Sequence, residues 1–244
     1  MYHSVTIGDK NSFDDWHLVQ TERILVSPPS VRTNYADIPG MHGTLDLSEV
    51  LTGYPVFGNR EGTWEFYVLN SYDLDDQYYG EWYNRYSDIM QYLHGRIRQV
   101  VLEDDPGYYY QGRLTVADWT SEDTWSHIKI DYKLDPFKYE LADSTEDWLW
   151  DPFSFESGVI REYGDIAVDG STSLTFTSSP RGGTPEFYAS ADDMSVTIDG
   201  TTYNLTKEEW VSFASLVLPS SYDEIEMAFT GTGTVSVRYR GGLL

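Results

Sequence analysis

The sequence predicts a mainly β fold with one helix, divided into two modules, and three observations carry that reading. Apolar and polar residues alternate with period two, as where Ile128, Ile130, Tyr132 and Leu134 interleave with Lys129, Asp131 and Lys133. Only one segment has convincing helical spacing, Trp82, Tyr86, Ile89, Met90 and Leu93, which share one face of a helix. The strand pattern then stops at Asp135-Pro136-Phe137, and an acidic, Trp-rich connector runs from Asp143 to Asp151. The chain therefore reads as an N-terminal domain over residues 1–139 and a C-terminal domain over residues 140–244.

Each element follows from local chemistry. In the first module short β-like runs alternate with glycine and proline punctuation, and the helix packs on a sheet. Gly95 stands where a left-handed residue would end that helix. Arg98 to Leu102 reads as a strand, Glu103-Asp104-Asp105-Pro106-Gly107 as a turn, and Tyr108 to Val116 as the returning strand. Because side chains alternate faces on a strand, at least one ring of Tyr108-Tyr109-Tyr110 should point away from the core. In the second module Leu174 and Phe176 alternate with threonines, and Met194, Val196 and Ile198, then Ile225, Met227 and Phe229, alternate with polar residues. Val235, Val237 and Tyr239 form the last strand. Asp199-Gly200 and Gly231-Thr232-Gly233 are read as turns, giving an antiparallel sandwich of short strands. Thr206-Lys207-Glu208-Glu209 resembles a capping box and predicts one helical turn.

The composition bounds the function. A chain of 244 residues without cysteine has no disulfide framework, thiolate nucleophile or thiolate metal site, and it needs no covalent staple to bury a core. The first residues, Met1-Tyr2-His3-Ser4-Val5, lack a signal-peptide pattern, and no apolar run approaches a membrane span, so the expectation is a soluble protein made in a cytoplasm with no membrane partner. With 40 acidic and 16 basic residues the net charge is −24, spread along the chain, so tight nucleic-acid binding is not expected. Aromatics at 16% and hydrophobic residues at 40% supply the burial that a disordered acidic chain lacks.

No catalytic or metal-binding motif is found. Glu103-Asp104-Asp105 is the densest acidic cluster, but it lies on a turn, where aspartates satisfy backbone N–H groups. Asp73-Leu74-Asp75-Asp76 lacks the glycine and terminal glutamate of a calcium loop and is read as a solvated loop. His3, His17, His42, His94 and His127 have no zinc-site spacing. There is no nucleophile elbow, phosphate loop or dinucleotide fingerprint. No catalytic residue, metal site or cofactor is assigned, and the chain is not expected to be an enzyme. The 20 tyrosines and 8 tryptophans fit either stacking on sugar rings or rigid contact area between subunits, and the second is favoured.

Residues 38 to 60 read Ile38-Pro39-Gly40-Met41-His42-Gly43-Thr44-Leu45-Asp46-Leu47, then Leu51-Thr52-Gly53-Tyr54, then Phe57-Gly58-Asn59-Arg60. This resembles the distal tail protein family of siphovirus-type bacteriophages. In that family an Ile-Pro-Gly-x-x-Gly segment leads into a Leu-Asp-Leu strand and an Asn-Arg pair opens the next one. The likeness continues through Leu102 to Pro106, with Asp104, Asp105 and Pro106 in the turn, and Tyr109-Tyr110-Gln111-Gly112-Arg113, and it closes the domain at Asp135-Pro136-Phe137. Beyond it, Val196 to Gly200 and Gly233 to Arg240 resemble the family's galectin-like second domain, while Pro219-Ser220-Ser221-Tyr222-Asp223 departs from the family's Pro-Gly-x-Asn turn.

The resemblance implies a β-sandwich-like ring or belt domain followed by a galectin-like antiparallel β-sandwich. It also implies a virion structural role at the tail tip: a homo-hexameric ring joining the tail tube to the host-adsorption apparatus, with a channel for DNA. Its implied partners are the major tail-tube protein, a tail-associated tip or hub protein, receptor-binding proteins and the tape-measure protein. The alternatives are a tail protein that itself contacts a cell-wall saccharide and a glycoside or peptidoglycan hydrolase. Pro39, Gly40, Gly43, Asp46, Asn59, Arg60, Asp104, Asp105, Pro106, Tyr109, Gly112, Arg113, Asp135 and Pro136 are the motif positions, with structural roles expected.

Overall fold

In the computed structural model the described residues are 3–20, 22–69, 81–121, 125–147 and 158–244. The Asp73 to Asp76 loop lies outside them, as do Met1, Tyr2 and the Trp148 to Asp151 end of the connector. The chain divides into two compact units, residues 1–138 and 139–244. Both are built from antiparallel sheet, and the described residues contain one α-helix.

The first unit contains β1 (Val5–Ile7), β2 (Lys10–Asn11), β3 (Val31–Arg32), β4 (Tyr35–Ala36), β5 (Leu45–Asp46), β6 (Val56–Phe57), β7 (Arg60–Leu69), α1 (Glu81–Leu93), β8 (Arg96–Leu102), β9 (Tyr108–Ser121) and β10 (Trp125–Leu134). Its main sheet runs β2-β1-β8-β9-β10-β7. Strand β9 holds β8 through Tyr110–Leu114 and β10 through Gly112–Ser121, and Ala117 is left unpaired as a bulge between Val116 and Asp118. The two alternating registers of β7 and β10 put Trp64, Phe66, Ile128, Ile130 and Leu134 into one core. Helix α1 covers that core with Trp82, Ile89 and Leu93, and half-buried Tyr86 and Met90 pack beside them. The predicted apolar face is therefore the one that is buried. Gly95 adopts φ +72, and its N–H donates to Leu114 O at 2.8 Å, so the residue that ends the helix also starts the sheet.

Strand β9 extends to Ser121, beyond the predicted end at Val116, because Trp119 stacks on Tyr86 with ring centroids 4.4 Å apart and gives the extension an apolar partner. Tyr110 joins the core cluster, Tyr109 is buried outside it and Tyr108 is half-buried beneath the Lys138 ammonium. The alternation expected of this triplet is thus seen.

Strand β11 (Lys138–Glu140) spans the division. The second unit contains β12 (Ile166–Thr177), β13 (Glu186–Ala189), β14 (Ser195–Ile198), β15 (Thr201–Asn204), β16 (Val211–Ser212), β17 (Glu224–Arg238) and β18 (Gly242–Leu243). Its sheet runs β15-β14-β17-β13-β16, with β12 along the other edge of β17. Asp199 and Gly200, both at positive φ, form the two-residue turn between β14 and β15, as predicted.

The sequence reading of two other segments is corrected. Gly231-Thr232-Gly233 is no turn: β17 runs unbroken from Glu224 to Arg238. Met227, Phe229, Val235 and Val237 are buried on one face, and by period two Gly231 and Gly233 belong to that face. A Cβ on Gly231 would lie 2.9 Å from Met194 Cγ, and one on Gly233 2.8 Å from Ser190 Oγ. The glycines vacate the space that Met194 fills. Nor does Thr206 to Glu209 form a helical turn, because Glu208 takes φ +57 and its N–H donates to Ala189 O at 2.8 Å.

Candidate functional site

Between Ser27 and Arg60 the chain leaves the first unit's body as an arm. Two short ladders stiffen it: Val31 and Arg32 pair with Phe57 and Val56, and Tyr35 and Ala36 pair with Asp46 and Leu45. Pro39, Gly40 and Gly43 occupy the β4–β5 turn, the two glycines at φ +86 and +79. Turn geometry, not crowding, selects glycine there, since an added Cβ would meet nothing. Asp46 accepts from the Ser48 hydroxyl and N–H, which hold its carboxyl below the usual range, and Ser48 Oγ accepts from Asn34 N at 2.8 Å.

The arm is ordered by its own hydrogen bonds, yet no residue from Ser27 to Thr63 belongs to the core cluster. Instead Val31, Tyr35, Ile38, Met41, Leu45, Val50, Leu51 and Tyr54 are exposed, with Leu51 at 98% and Val50 at 68%. Eight large apolar side chains thus stand exposed on one hydrogen-bonded element outside the core. Composition alone could not reveal it, because these residues look like core residues until their burial is known.

The arm's root is fixed as firmly as its tip is free. Trp64 Nε1 donates to Leu25 O at 3.2 Å, Ser27 N donates to Tyr132 Oη at 2.9 Å, and Gly58 N donates to Ser30 O at 2.7 Å. Gly62 permits this, since its Cβ would sit 2.3 Å from the Tyr132 hydroxyl. Arg60 is the central tie. It is 5% exposed, it donates from Nε to Pro136 O at 2.8 Å and from Nη1 to Ser27 O at 2.9 Å, and its guanidinium lies 5.6 Å from the Tyr110 ring centroid. Burial lowers its pKa from the ordinary arginine value. Asn59 Nδ2 donates to Leu134 O at 3.1 Å, Asp135 N donates to Gln111 O at 2.8 Å, and Phe57 meets Phe137 edge-on.

Twelve of the fourteen motif positions therefore gather into three places. Asn59, Arg60, Gly112, Asp135 and Pro136 meet at the arm root. Pro39, Gly40, Gly43 and Asp46 shape the arm. Asp104, Asp105 and Pro106 form the β8–β9 turn, where the Asp104 carboxylate lies 2.9 Å from His3 Nδ1 and 3.1 Å from Arg23 Nε, and Lys138 Nζ lies 2.5 Å from Asp105. Glu103 completes that turn by accepting from Ser4 N at 2.7 Å. Arg113 donates to Gly95 O, and Tyr109 is buried beside the Tyr110 that carries Arg60. Ser27, Gly62, Trp64 and Tyr132 belong to the root but were not read from the sequence. Their only signal is a glycine and two aromatics on strands otherwise explained by core burial.

Arg60→Met is expected to destabilise the first unit by about 2 kcal/mol, because two half-buried carbonyls lose charge-assisted donors. Denaturant melts would read the loss, and hydrogen exchange should rise at residues 25–30. Arg60→Lys is expected to recover only part, since one ammonium cannot reproduce the planar fork. Unchanged exchange at residues 25–30 would show that Arg60 does not hold the root.

No protein-family model matches the chain. No curated protein matches it in sequence. Among solved structures it is similar to the crystal structure of the Dit (gp 19.1) protein of phage SPP1, described as a paradigm of the hub adsorption apparatus in phages infecting Gram-positive bacteria. The TM-score is 0.58 at 13% identity, and the match covers 100% of each chain. The likeness read from residues 38 to 137 and this whole-length match meet on one architecture: the chain has the fold of a siphophage distal tail protein.

Proposed function

We propose that this chain is a structural protein of a siphovirus-type tail tip, the hub whose hexameric ring joins the tail tube to the adsorption apparatus. The fold shared with a phage hub protein supports a tail-tip structural role. The apolar arm on its pinned root is the observation that carries the ring. A closed ring needs heterologous contacts, in which one patch of each copy meets a different patch of the next. An ordered, exposed apolar projection from the body supplies one of the two patches.

In this reading the tail-tube protein, a tip or hub protein, receptor-binding proteins and the tape-measure protein are its neighbours, and the site of action is the virion. The net charge of −24 suits a wall past which DNA must slide without adhering. In the same reading the second unit is the galectin-like sandwich of that family.

The test is native mass spectrometry with negative-stain microscopy of the purified chain and of a variant in which residues 33–55 are replaced by a short Gly-Ser linker. The expected result is a hollow six-copy ring for the parent and a monomer for the variant. Both should give the same near-ultraviolet dichroism, since the arm contributes nothing to the core. A parent that stays monomeric, or a variant that still closes, would overturn the arm-built ring.

A further inference from the structure

The sheet of the second unit ends at β15, which is 4 residues long, at β16, which is 2, and along β12, which is 12 and pairs with β17 on one side only. A long bare edge recruits a further strand, and proteins blunt such edges with lysine, proline or an inward charge. The second half of β12 carries none of these. Residues 170–179 contain neither a charge nor a proline, in a chain with 40 acidic and 16 basic residues.

The geometry fixes which backbone groups are free. Gly170 and Gly231 lie opposite each other, both at positive φ, and Thr172 Oγ1 donates to Ala167 O at 3.3 Å. Those two residues would be about 16 Å apart in a straight strand, so the ribbon bends at Gly170 and a straight edge begins at Ser171. At its far end Thr177 N donates to Tyr163 Oη at 3.2 Å and Thr177 O accepts from Arg161 Nε at 2.9 Å, while Ser178 N turns inward to Asp223 O at 3.1 Å. The Thr177 backbone therefore faces away from β17, and by alternation so do those of Thr175, Ser173 and Ser171. These three residues are exposed, and among the described residues no backbone group pairs with them on that side. On the core face Leu174 is left half-buried.

We propose that β12 of one copy pairs with β12 of a second copy, antiparallel about a two-fold axis at Ser173. Ser171 of each copy then lies opposite Thr175 of the other, and Ser173 opposite itself. Self-pairing brings like residues together, so an edge without charge is the condition it needs most. The axis also keeps both apolar faces on one side, which sets the Leu174 side chains of the two copies beside each other, with small hydroxyls opposed on the solvent face. This contact is isologous, unlike those of a ring, and it does not depend on the ring reading.

The test uses the full chain, which has no cysteine to give background. Ser173→Cys is expected to form a disulfide-linked pair on mild oxidation, because opposed residues of such a ladder stand about 5.5 Å apart at Cα, within the span of a disulfide. Thr202→Cys, at an exposed position on β15, is the unlinked control. Ser173→Lys and Ser173→Asp each set like charges face to face at the axis and are expected to halve the mass of the assembly in sedimentation. An equimolar mixture of these two chains is expected to restore it. The dichroism of every variant should match the parent's, since position 173 is exposed. Linkage at 173 no faster than at 202, or charge variants with the mass of the parent, would overturn the pairing. The halving is read equally from a pair of single copies and from a pair of rings, so its failure leaves the ring reading untouched, and absence of rings leaves the pairing in place.

Discussion

Gly112→Ala is expected to destabilise the first unit strongly. A Cβ at this position would lie 2.2 Å from Lys133 O, 2.5 Å from Leu134 Cα and 2.9 Å from Lys133 C. All three are backbone atoms, so no rotamer relieves the clash. The strands must separate where Gly112 and Leu134 pair, and that is where Asn59, Asp135 and Arg60 are tied together. Overpacking a well-filled site costs about 1–3 kcal/mol when side chains can yield. Here they cannot, so a loss of about 3 kcal/mol or more is expected. Hydrogen exchange across β9 and β10 should rise by two or more orders of magnitude, the equivalent of about 3 kcal/mol, with the second unit's protection as the internal reference. Gly43→Ala is the matched control: it meets no atom, pays only for its positive φ and should cost about 1 kcal/mol. Equal costs for the two substitutions would refute the steric account.

The second large effect is expected in the other unit, from Arg161→Met. The Arg161 side chain is 3% exposed and every face of it is used: Nη1 to Glu140 Oε1 at 2.5 Å, Nε to Thr177 O at 2.9 Å and Nη2 to Ser178 O at 2.9 Å, with the Tyr239 ring 5.7 Å away. Glu140 also accepts from Gly241 N at 3.2 Å, so the pair joins β11 to the strand-free segment before β12 and to the chain's last residues. Removing one member strands the other's charge in a poorly solvated place, which costs about 3–5 kcal/mol. Glu140→Gln keeps a carbonyl for Arg161 and should cost less. A double variant, Arg161→Met with Glu140→Gln, should recover part of the loss, because no unpaired charge remains. Thermal melts of the four chains would check this cycle, and strictly additive losses would show that the pair is not coupled.

How much of this was legible beforehand varies with the range of the interaction involved. The helix could be read because five residues at helical spacing and a terminal glycine are local signals, and the Asp199-Gly200 turn because two positive-φ positions need such residues. Gly231 and Gly233 misled because a glycine that frees a backbone and a glycine that makes room for a distant Met194 look alike in sequence. Thr206 to Glu209 carried the residues of a capping box, but a hydrogen bond to Ala189 competes with the helix and wins. The Asn59-Arg60 pair stood out as a motif, whereas its work depends on Ser27 and Pro136, which are far away along the chain. The arm's exposure was the least legible feature, because hydrophobicity says that a side chain seeks a partner and does not say in which molecule.

The pinned root has a mechanical consequence. Tension applied to the arm enters the body at Arg60, the first residue of a ten-residue strand bonded along its whole length to β10. A lengthwise pull loads those backbone bonds together, in shear, and not one after another as in peeling. An element attached in this way passes a load to the body without unzipping from one end.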